Sequence, residues 1–239
     1  MLPESLVGAL LLSSIAGAAI PVGGIIAAFE NFRPGWMERE FRHSVVAFGG
    51  GVLLSAVALV LVPEGAVRLP PLAALALFGA GGFVFFLFDR RLHEHGGSGA
   101  QLLAMVLDFV PEAMALGAML VSDAATARLL ALLIALQNLP EAFNAYRELK
   151  SGYGLSARRL IGFFAALALL GPAAALLGEE VLFAMPRLLG GIMLFAGGGI
   201  LYLTFADIAP QAKLERHWAP PLGAVAGFMV GLAGELYVT

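Results

Sequence analysis

The sequence predicts an all-α polytopic membrane protein with eight transmembrane helices. Of its 239 residues, 60% are hydrophobic and only 13% are charged, whereas a soluble domain carries about 25% charged residues. The chain also contains 30 Gly and 13 Pro, two residues that are commoner in membrane helices than in soluble ones. Apolar stretches of membrane-spanning length follow one another from end to end. Residues 1–239 are therefore predicted to form a single transmembrane domain.

Each predicted span is a mostly apolar stretch of roughly 17–25 residues, the length that crosses a bilayer. The first stretch has no basic residue before Arg33 and is too long for a signal peptide, so it is interpreted as a span. The breaks between stretches are short and polar, and none resembles a soluble domain or a flexible linker. In chain order, the spans cover residues 5–29, 44–63, 71–88, 101–122, 126–147, 157–178, 187–208 and 219–238.

The basic residues predict how the spans are oriented. Loops after spans 1, 3, 5 and 7 hold eleven of the 14 Lys and Arg residues, and the other loops hold three. Because cytoplasmic loops carry the excess of Lys and Arg, the odd-numbered loops should face the cytoplasm and both termini should lie outside. The net charge of -3 is too small to indicate a nucleic-acid partner, so the lipid bilayer is the expected partner. The absence of Cys excludes disulfides and thiolate metal sites.

Spans 2 and 7 share a sequence pattern. Gly50-Gly51-Val52-Leu53 leads to Pro63-Glu64, and Gly198-Gly199-Ile200-Leu201 leads to Pro210-Gln211. Five steps separate these spans, so they cross the membrane in opposite directions, as in the inverted-topology repeats of many secondary transporters. The pattern predicts that helices 1–3 and 6–8 form an inverted repeat around a central pair of helices 4 and 5. Coincidence between two Gly- and Leu-rich helices is the alternative.

Spans 4 and 5 carry polar side chains near their middles, where the membrane penalises them. Asp108 and Glu112 lie in span 4, and Gln137 and Glu141 lie in span 5. A carboxylate at the bilayer centre costs about 2.5–3.5 kcal/mol on insertion scales. Each pair is spaced i,i+4 and therefore occupies one helix face. If the two faces meet, four oxygen-bearing side chains converge, and Asn144 extends the stripe by one turn as a weaker candidate ligand.

A divalent cation is the simplest counter-charge, because no basic residue lies at this depth in any span. The occupied site would carry about -1, or be neutral with one proton retained. Pro111 and Pro140 lack an N–H and so free the carbonyls of Leu107 and Leu136, which is tolerated where the carbonyls line a polar cavity. Two alternatives stay open: protonated carboxylates that hydrogen-bond across the helices, and a proton relay.

These residues resemble the motifs of the ZIP (Zrt/Irt-like) family of metal transporters, in particular its bacterial GufA-type branch. That family carries His-Asn-x-Pro-Glu-Gly-like motifs on its fourth and fifth helices. Here they read Asp108-Phe109-Val110-Pro111-Glu112-Ala113 and Gln137-Asn138-Leu139-Pro140-Glu141-Ala142. The resemblance extends along nearly the whole chain and includes eight helices with both termini outside.

The resemblance implies a function and a location. A member of this family would move a divalent metal ion of the Zn, Mn or Fe(II) class into the cytoplasm by alternating access, across the bacterial inner membrane. The metal is the substrate, and no organic cofactor is expected. A homodimer is left open.

The metal-site motifs diverge from the family pattern. The first site of the family maps to Asp108, Glu112, Gln137 and Glu141. The second maps to Phe109, Asn138 and Gly171, of which only Asn138 has a ligating side chain, so the resemblance implies one metal site with Asn138 as a weaker ligand. With Asp108 in place of His, the first site is all-oxygen. We expect this to shift the preference of the site away from Cu and somewhat from Zn, toward Mn, Fe(II) or Mg-like ions.

Two histidines and two rival functions complete the sequence hypotheses. His93 and His95 lie in the loop after span 3 and are weak candidates to capture metal leaving the site; a solvated loop is the alternative. No His-Glu-x-x-His motif is present, so the chain is not expected to be an enzyme such as an intramembrane metalloprotease. A degenerate, non-transporting family member that acts as a metal sensor or scaffold remains the alternative function.

Overall fold

The computed structural model describes residues 4–29, 36–94, 99–213 and 218–238, and within these ranges the chain forms eight helical segments, α1 to α8. The five continuous segments are α1 Glu4–Phe29, α3 Pro71–Glu94, α4 Ala100–Ser122, α5 Ala124–Tyr153 and α8 Leu222–Val238. The other three are each built from consecutive pieces. Segment α2 consists of Trp36–Ser55, Ala56–Leu61 and Val62–Ala66. Segment α6 consists of Ala157–Ala168, Leu170–Glu180 and the 3-10 turn Leu182–Ala184, and α7 consists of Pro186–Leu203, Thr204–Ile208 and Ala209–Ala212.

Six of the described segments are long and apolar enough to cross a membrane, by length and composition. They are Glu4–Phe29, Arg42–Ala66, Pro71–Arg91, Gln101–Ser122, Ala157–Ala184 and Pro186–Ala212. The other two predicted spans do form helices. However, α5 is interrupted by polar residues despite its 30 residues, and α8 has only 17 residues. The all-α, polytopic integral membrane class is therefore confirmed, with six of the eight predicted spans.

The helices pack in two groups. In the first group, α1 packs on α5 and α6, and α4 packs on the same two helices; in the second, α2 packs on α7 and α8, and α3 packs on α7. The groups meet where α2 contacts α5 and where α4 contacts α7. These pairings are unchanged when α1 is exchanged with α6, α2 with α7, α3 with α8 and α4 with α5. The packing thus has the internal symmetry that an inverted repeat would have.

The α3–α7 contact depends on glycine. A Cβ at Gly81 would lie 1.9 Å from the carbonyl oxygen of Phe195, and a Cβ at Gly198 would lie 2.0 Å from that of Phe78. Only hydrogen atoms fit at such separations, so the two backbones touch directly. Small residues at helix contacts are what allow this approach in membranes.

Both α2 and α7 contain a π-helical turn at equivalent positions. The turn in α2 begins six residues after Gly50, and the turn in α7 begins six residues after Gly198. In each, the first residue after the turn donates its N–H to the carbonyl five residues back. The next residue is Pro63 or Pro210, which has no N–H to continue the ordinary ladder. The sequence similarity between spans 2 and 7 therefore extends to an uncommon backbone geometry.

A single residue connects α4 to α5 and forces them to run antiparallel. Asp123 caps α5: its Oδ1 accepts the N–H groups of Ala125 at 3.2 Å and Thr126 at 3.1 Å, and its Oδ2 accepts the Thr126 hydroxyl at 2.5 Å. The hydroxyl bond from Thr126 holds the pKa of Asp123 below its ordinary value. This short link makes α4 and α5 neighbours, and they carry the polar residues predicted to form the site.

Candidate cation site between α4 and α5

Two sets of contacts fix the register between α4 and α5. Gln137 Nε2 donates to Glu112 Oε2 at 2.6 Å. Toward the start of α4, the carboxylate of Glu148 accepts the backbone N–H of Gly99 at 2.7 Å and that of Gln101 at 3.1 Å. Eleven residues separate Gln101 from Glu112, and eleven separate Gln137 from Glu148. The two helices therefore keep one constant antiparallel register between these contacts.

We call the positions that this register places opposite one another the α4–α5 seam. They recur at alternating intervals of four and three residues on both helices, the spacing of a coiled-coil contact. Along α4 the seam positions are Gln101, Met105, Asp108, Glu112, Ala115 and Met119, and the opposite α5 positions are Glu148, Asn144, Glu141, Gln137, Ile134 and Leu130. The four residues of the predicted site thus occupy two adjacent levels of the seam, with Asp108 opposite Glu141 and Glu112 opposite Gln137.

The seam is polar in one half and apolar in the other. Its apolar half consists of Ala115, Met119, Leu130 and Ile134, all of which are fully buried. Its polar half lies toward the end of the bundle where α3 and α5 end and α4 begins. We call this the basic end, because it carries Arg90, Arg91, Arg147 and Lys150. The predicted site lies at the boundary between the two halves.

Three carboxylates of the seam are withdrawn from solvent. The exposed fractions of Asp108, Glu112 and Glu141 are 3%, 0% and 9%. When ionised, these carboxylates lie close enough to repel one another. The salt bridges Arg68–Glu64 and Arg90–Glu94 lie elsewhere in the described part of the chain, and neither involves Asp108, Glu112 or Glu141. Neighbouring buried charges without a cationic side chain require another source of positive charge.

Among the described residues, the unpaired buried atoms of the seam and of the adjacent Asn138 are all acceptor oxygens. Glu112 Oε1, Gln137 Oε1, Asn138 Oδ1 and both carboxylate oxygens of Glu141 are buried without a hydrogen-bond partner. Each of these atoms is an acceptor in an ionised carboxylate or an amide. A buried acceptor left unsatisfied costs about 1–3 kcal/mol. Such a set can be satisfied by protons, by water or by a cation, and not by an anion.

The carboxylates do not form a compact three-acid cluster. Within the described ranges, no group of three or more His, Cys, Asp or Glu side chains is arranged to hold a metal ion. One reason is that Asp108 Oδ1 accepts the backbone N–H of Phe109 at 2.8 Å. Mutual repulsion also keeps ionised carboxylates apart where no positive charge lies between them. A cation here would use two carboxylates together with the Gln137 amide oxygen, or would draw Asp108 inward.

Two cavities extend from the site toward the basic end. Gln101, Glu141 and Ile208 line both of them, Asp108 lines the first, and Asn144 lines the second. The first cavity also contacts the π-helical turn of α7, to which Ile208 belongs. In the opposite direction the seam continues as closely packed apolar side chains. The carboxylates are therefore flanked by space on the side of the basic end.

The remaining predicted ligands are placed differently. Asn138 faces α1, where its Nδ2 donates to the carbonyl oxygen of Ala16 at 3.3 Å, so it lies off the seam. Adjacent residues of an α-helix point about 100° apart, and Asn138 therefore cannot share the face of Gln137. His95 and the side chain of His93 lie outside the described residues.

The ring of Phe109 fills the space where the resemblance would locate a second metal site. A Cβ at Gly171 would lie 2.6 Å from Phe109 Cζ, and a Cβ at Gly17 would lie 3.3 Å from it. The ring is thus seated between α1 and α6 on two glycines. The two departures from the family motif, an aromatic residue and a missing side chain, fit together sterically.

Three residues around the site were missed by sequence reasoning. Gln101 and Ile208 line both cavities, and Glu148 binds the start of α4. A signal for two of them was present, since Gln101 lies seven residues before Asp108 and Glu148 lies seven residues after Glu141. Extending the i,i+4 stripes by one heptad on each helix would have included both.

No protein-family model matches this chain, and no curated protein matches it. The resemblance to the ZIP family therefore rests on sequence motifs, chiefly those of α4 and α5, and on the predicted span pattern.

Proposed function

We propose that this chain is a membrane transporter that carries a divalent metal cation through a single site on α4 and α5. Glu112, Glu141 and Gln137 are the main ligands, and Asp108 is a fourth. One observation carries the proposal: the unpaired buried atoms of the seam are all acceptor oxygens, and they accompany three carboxylates that form no salt bridge with a described basic residue. Hard divalent cations prefer oxygen ligands of this kind.

The symmetry of the bundle supports a transporter. The exchangeable helix pairings and the matched π-helical turns are what an inverted repeat of α1–α3 and α6–α8 would produce. Secondary transporters built from such repeats bind their substrates near the middle of the membrane, at the interface between the repeats. In this interpretation α5 and α8 also cross the membrane, which gives eight spans. The resemblance of the α4 and α5 motifs to those of the ZIP family points the same way.

The distribution of charge supports an orientation of the site. The positive-inside rule places the basic end in the cytoplasm and both termini outside. The cavities beside Glu141 then face the cytoplasm, while the apolar half of the seam closes the route from outside. We assign this conformation to the inward-facing half of an alternating-access cycle. A bacterial inner membrane is the location that the family resemblance implies.

The ligand set also bears on the substrate. Compared with a site that contains imidazole, carboxylate and amide oxygens alone shift the preference away from Cu²⁺ and somewhat from Zn²⁺, toward Mn²⁺ and Fe²⁺. The seated ring of Phe109 leaves room for one ion rather than two. Isothermal titration calorimetry of the purified protein should therefore give about one Mn²⁺ per chain. Tight Cu²⁺ binding with no response to Mn²⁺ would contradict this assignment.

Uptake into proteoliposomes tests the function. Purified protein should accumulate Mn²⁺, and Glu141→Ala should abolish accumulation, because Glu141 contributes two unpaired oxygens and lines both cavities. Glu180→Ala removes an exposed carboxylate at the other end of the bundle and serves as the matched control. Binding without uptake would indicate a sensor or scaffold. Unchanged uptake by Glu141→Ala would remove α5 from the site.

A further inference from the structure

Glu148 lies outside the proposed ligand set, at the basic end of the seam. We propose that it is a positioning residue: by binding the start of α4, it sets the α4–α5 register and therefore the spacing of the cation ligands. The expected effect of Glu148 on cation binding rests on the proposed function. The contact itself is a property of the two helices.

The start of α4 is built around the Glu148 carboxylate. The first N–H groups of a helix have no partners within that helix, and here Glu148 accepts those of Gly99 and Gln101. Hydrogen bonds to an ionised acceptor are stronger than neutral ones, and the positive end of the helix dipole also favours the carboxylate. Gly99 has a φ of +147°, a backbone conformation that favours glycine. Both local chemistry and backbone geometry therefore fix α4 at this point.

The seam is held at both ends. At one end, the single-residue link at Asp123 joins α4 directly to α5. At the other end, the Glu148 contact prevents α4 from sliding or rotating against α5. A slip of one residue would translate α4 by about 1.5 Å and rotate it by about 100°. Glu112 would then leave Gln137, and Asp108 would leave the level of Glu141.

Cross-linking across the seam measures the register without relying on metal. The chain has no Cys, so Met105→Cys with Asn144→Cys introduces a single pair of thiols at opposite seam positions. Met105 is buried, so a small oxidant such as iodine, which reaches buried thiols more readily than a maleimide, should join the pair as a disulfide in the otherwise unchanged protein. Cross-linking rate is then compared in Glu148→Ala, in Glu148→Gln and in Glu94→Ala. The last removes an exposed carboxylate that is paired with Arg90 near the same end.

Mn²⁺ affinity is measured in parallel by calorimetry, in the same Glu148 and Glu94 variants without the cysteines. Groups that hydrogen-bond directly to a metal ligand change affinity by about 10–100-fold when they are replaced, and Glu148 acts less directly, through the register, so the lower end of that range is expected. Glu148→Ala should therefore slow cross-linking several-fold and weaken Mn²⁺ binding about tenfold. Glu148→Gln keeps one acceptor oxygen and should give intermediate values, and Glu94→Ala should change neither.

The outcomes separate this inference from the proposed function. Unchanged cross-linking in Glu148→Ala overturns the inference, and so does slowed cross-linking with unchanged Mn²⁺ affinity. If the parent protein binds no Mn²⁺, the proposed function fails, while the cross-linking rates still decide whether Glu148 sets the register. If Glu148→Ala does not fold, the Glu148→Gln variant supplies the same comparison with one acceptor retained.

Discussion

At the scale of single residues, Asp123 is the side chain on which the α4–α5 connection depends. Its carboxylate accepts three hydrogen bonds at the start of α5. Replacement of such a capping residue by Ala costs about 1 kcal/mol. Asp123→Ala should therefore lower the thermal unfolding temperature of the detergent-solubilised protein at neutral pH. The packing of the α4–α5 seam should change only because the cap no longer restrains the connection between the two helices.

The same contact predicts a pH dependence. The pKa of Asp123 is lower in the folded protein than its ordinary value of 3.8. Its contribution is therefore fully present above that value and is lost as the pH falls through the lower, folded pKa. The difference in unfolding temperature between the parent and Asp123→Asn should shrink on acidification, because Asn keeps an acceptor oxygen but does not titrate. A difference that stays constant down to pH values well below about 3.8 would contradict the assigned cause.

The residues of the site differ in how far the sequence could predict them. Asp108, Glu112, Gln137 and Glu141 were predictable, because carboxylates at membrane depth are costly and i,i+4 spacing places each pair on one face. Their actual partners depend on the register, which the sequence does not state directly. The role of Glu148 could not be predicted from the sequence, for a related reason. A charged residue near a helix end is ordinary, and its role depends on contacts 49 and 47 residues away.

At the scale of helices, the α3–α7 contact offers a matched pair of glycines. Gly81→Ala would place a Cβ 1.9 Å from a backbone carbonyl oxygen, so α3 and α7 must separate. Overpacking of this kind costs about 1–3 kcal/mol. Gly79 lies on the same helix with nothing within 4 Å of its would-be Cβ, and Gly79→Ala should stabilise α3 by about 0.5–1 kcal/mol.

Unfolding of both variants in detergent, followed by circular dichroism, checks this prediction. Gly81→Ala should unfold at a lower temperature than the parent protein, and Gly79→Ala at an equal or higher one. Equal decreases in unfolding temperature in the two variants would mean that helix propensity or membrane insertion, and not the close α3–α7 contact, determines the change in stability.

The helices also show where sequence reasoning stops. Span positions could be predicted because apolar length is a direct property of the chain, and the shared Gly-Gly and Pro pattern indicated the relation between α2 and α7. The π-helical turns could not be predicted from that pattern. Pro63 and Pro210 remove an N–H donor, but whether the helix then kinks, breaks or forms a wider turn depends on the helices packed around it.

At the scale of the whole molecule, the helix positions are related by an internal symmetry, but the side chains at equivalent positions differ in polarity. Aligning the two Pro-Glu motifs pairs each α4 position with the α5 position 29 residues later. The site residues then correspond, Asp108 to Gln137 and Glu112 to Glu141. Outside the site the correspondence fails, since Gln101 aligns with Leu130 and Met119 with Glu148. Both helices are polar toward the basic end and apolar toward the other, whichever way their chains run.

This asymmetry predicts one-sided access to the site. Asn144→Cys introduces a thiol into the second cavity, and Leu130→Cys introduces one into the fully buried half of the seam. Because the chain has no Cys of its own, labelling reports these positions alone. A membrane-impermeant maleimide applied to the basic end, in inside-out vesicles, should label Asn144→Cys and leave Leu130→Cys unmodified.

Bound metal provides the second half of the same test. An ion held by Glu112, Gln137 and Glu141 lies next to the cavity that Asn144 lines, so Mn²⁺ should slow labelling of Asn144→Cys from the basic end. Labelling of an exposed control, Lys213→Cys, should not respond to the ion. If Asn144→Cys reacts equally from both sides, or if Leu130→Cys reacts as fast, the apolar half of the seam does not close the pathway. The conformation would then not be the inward-facing state of a transporter.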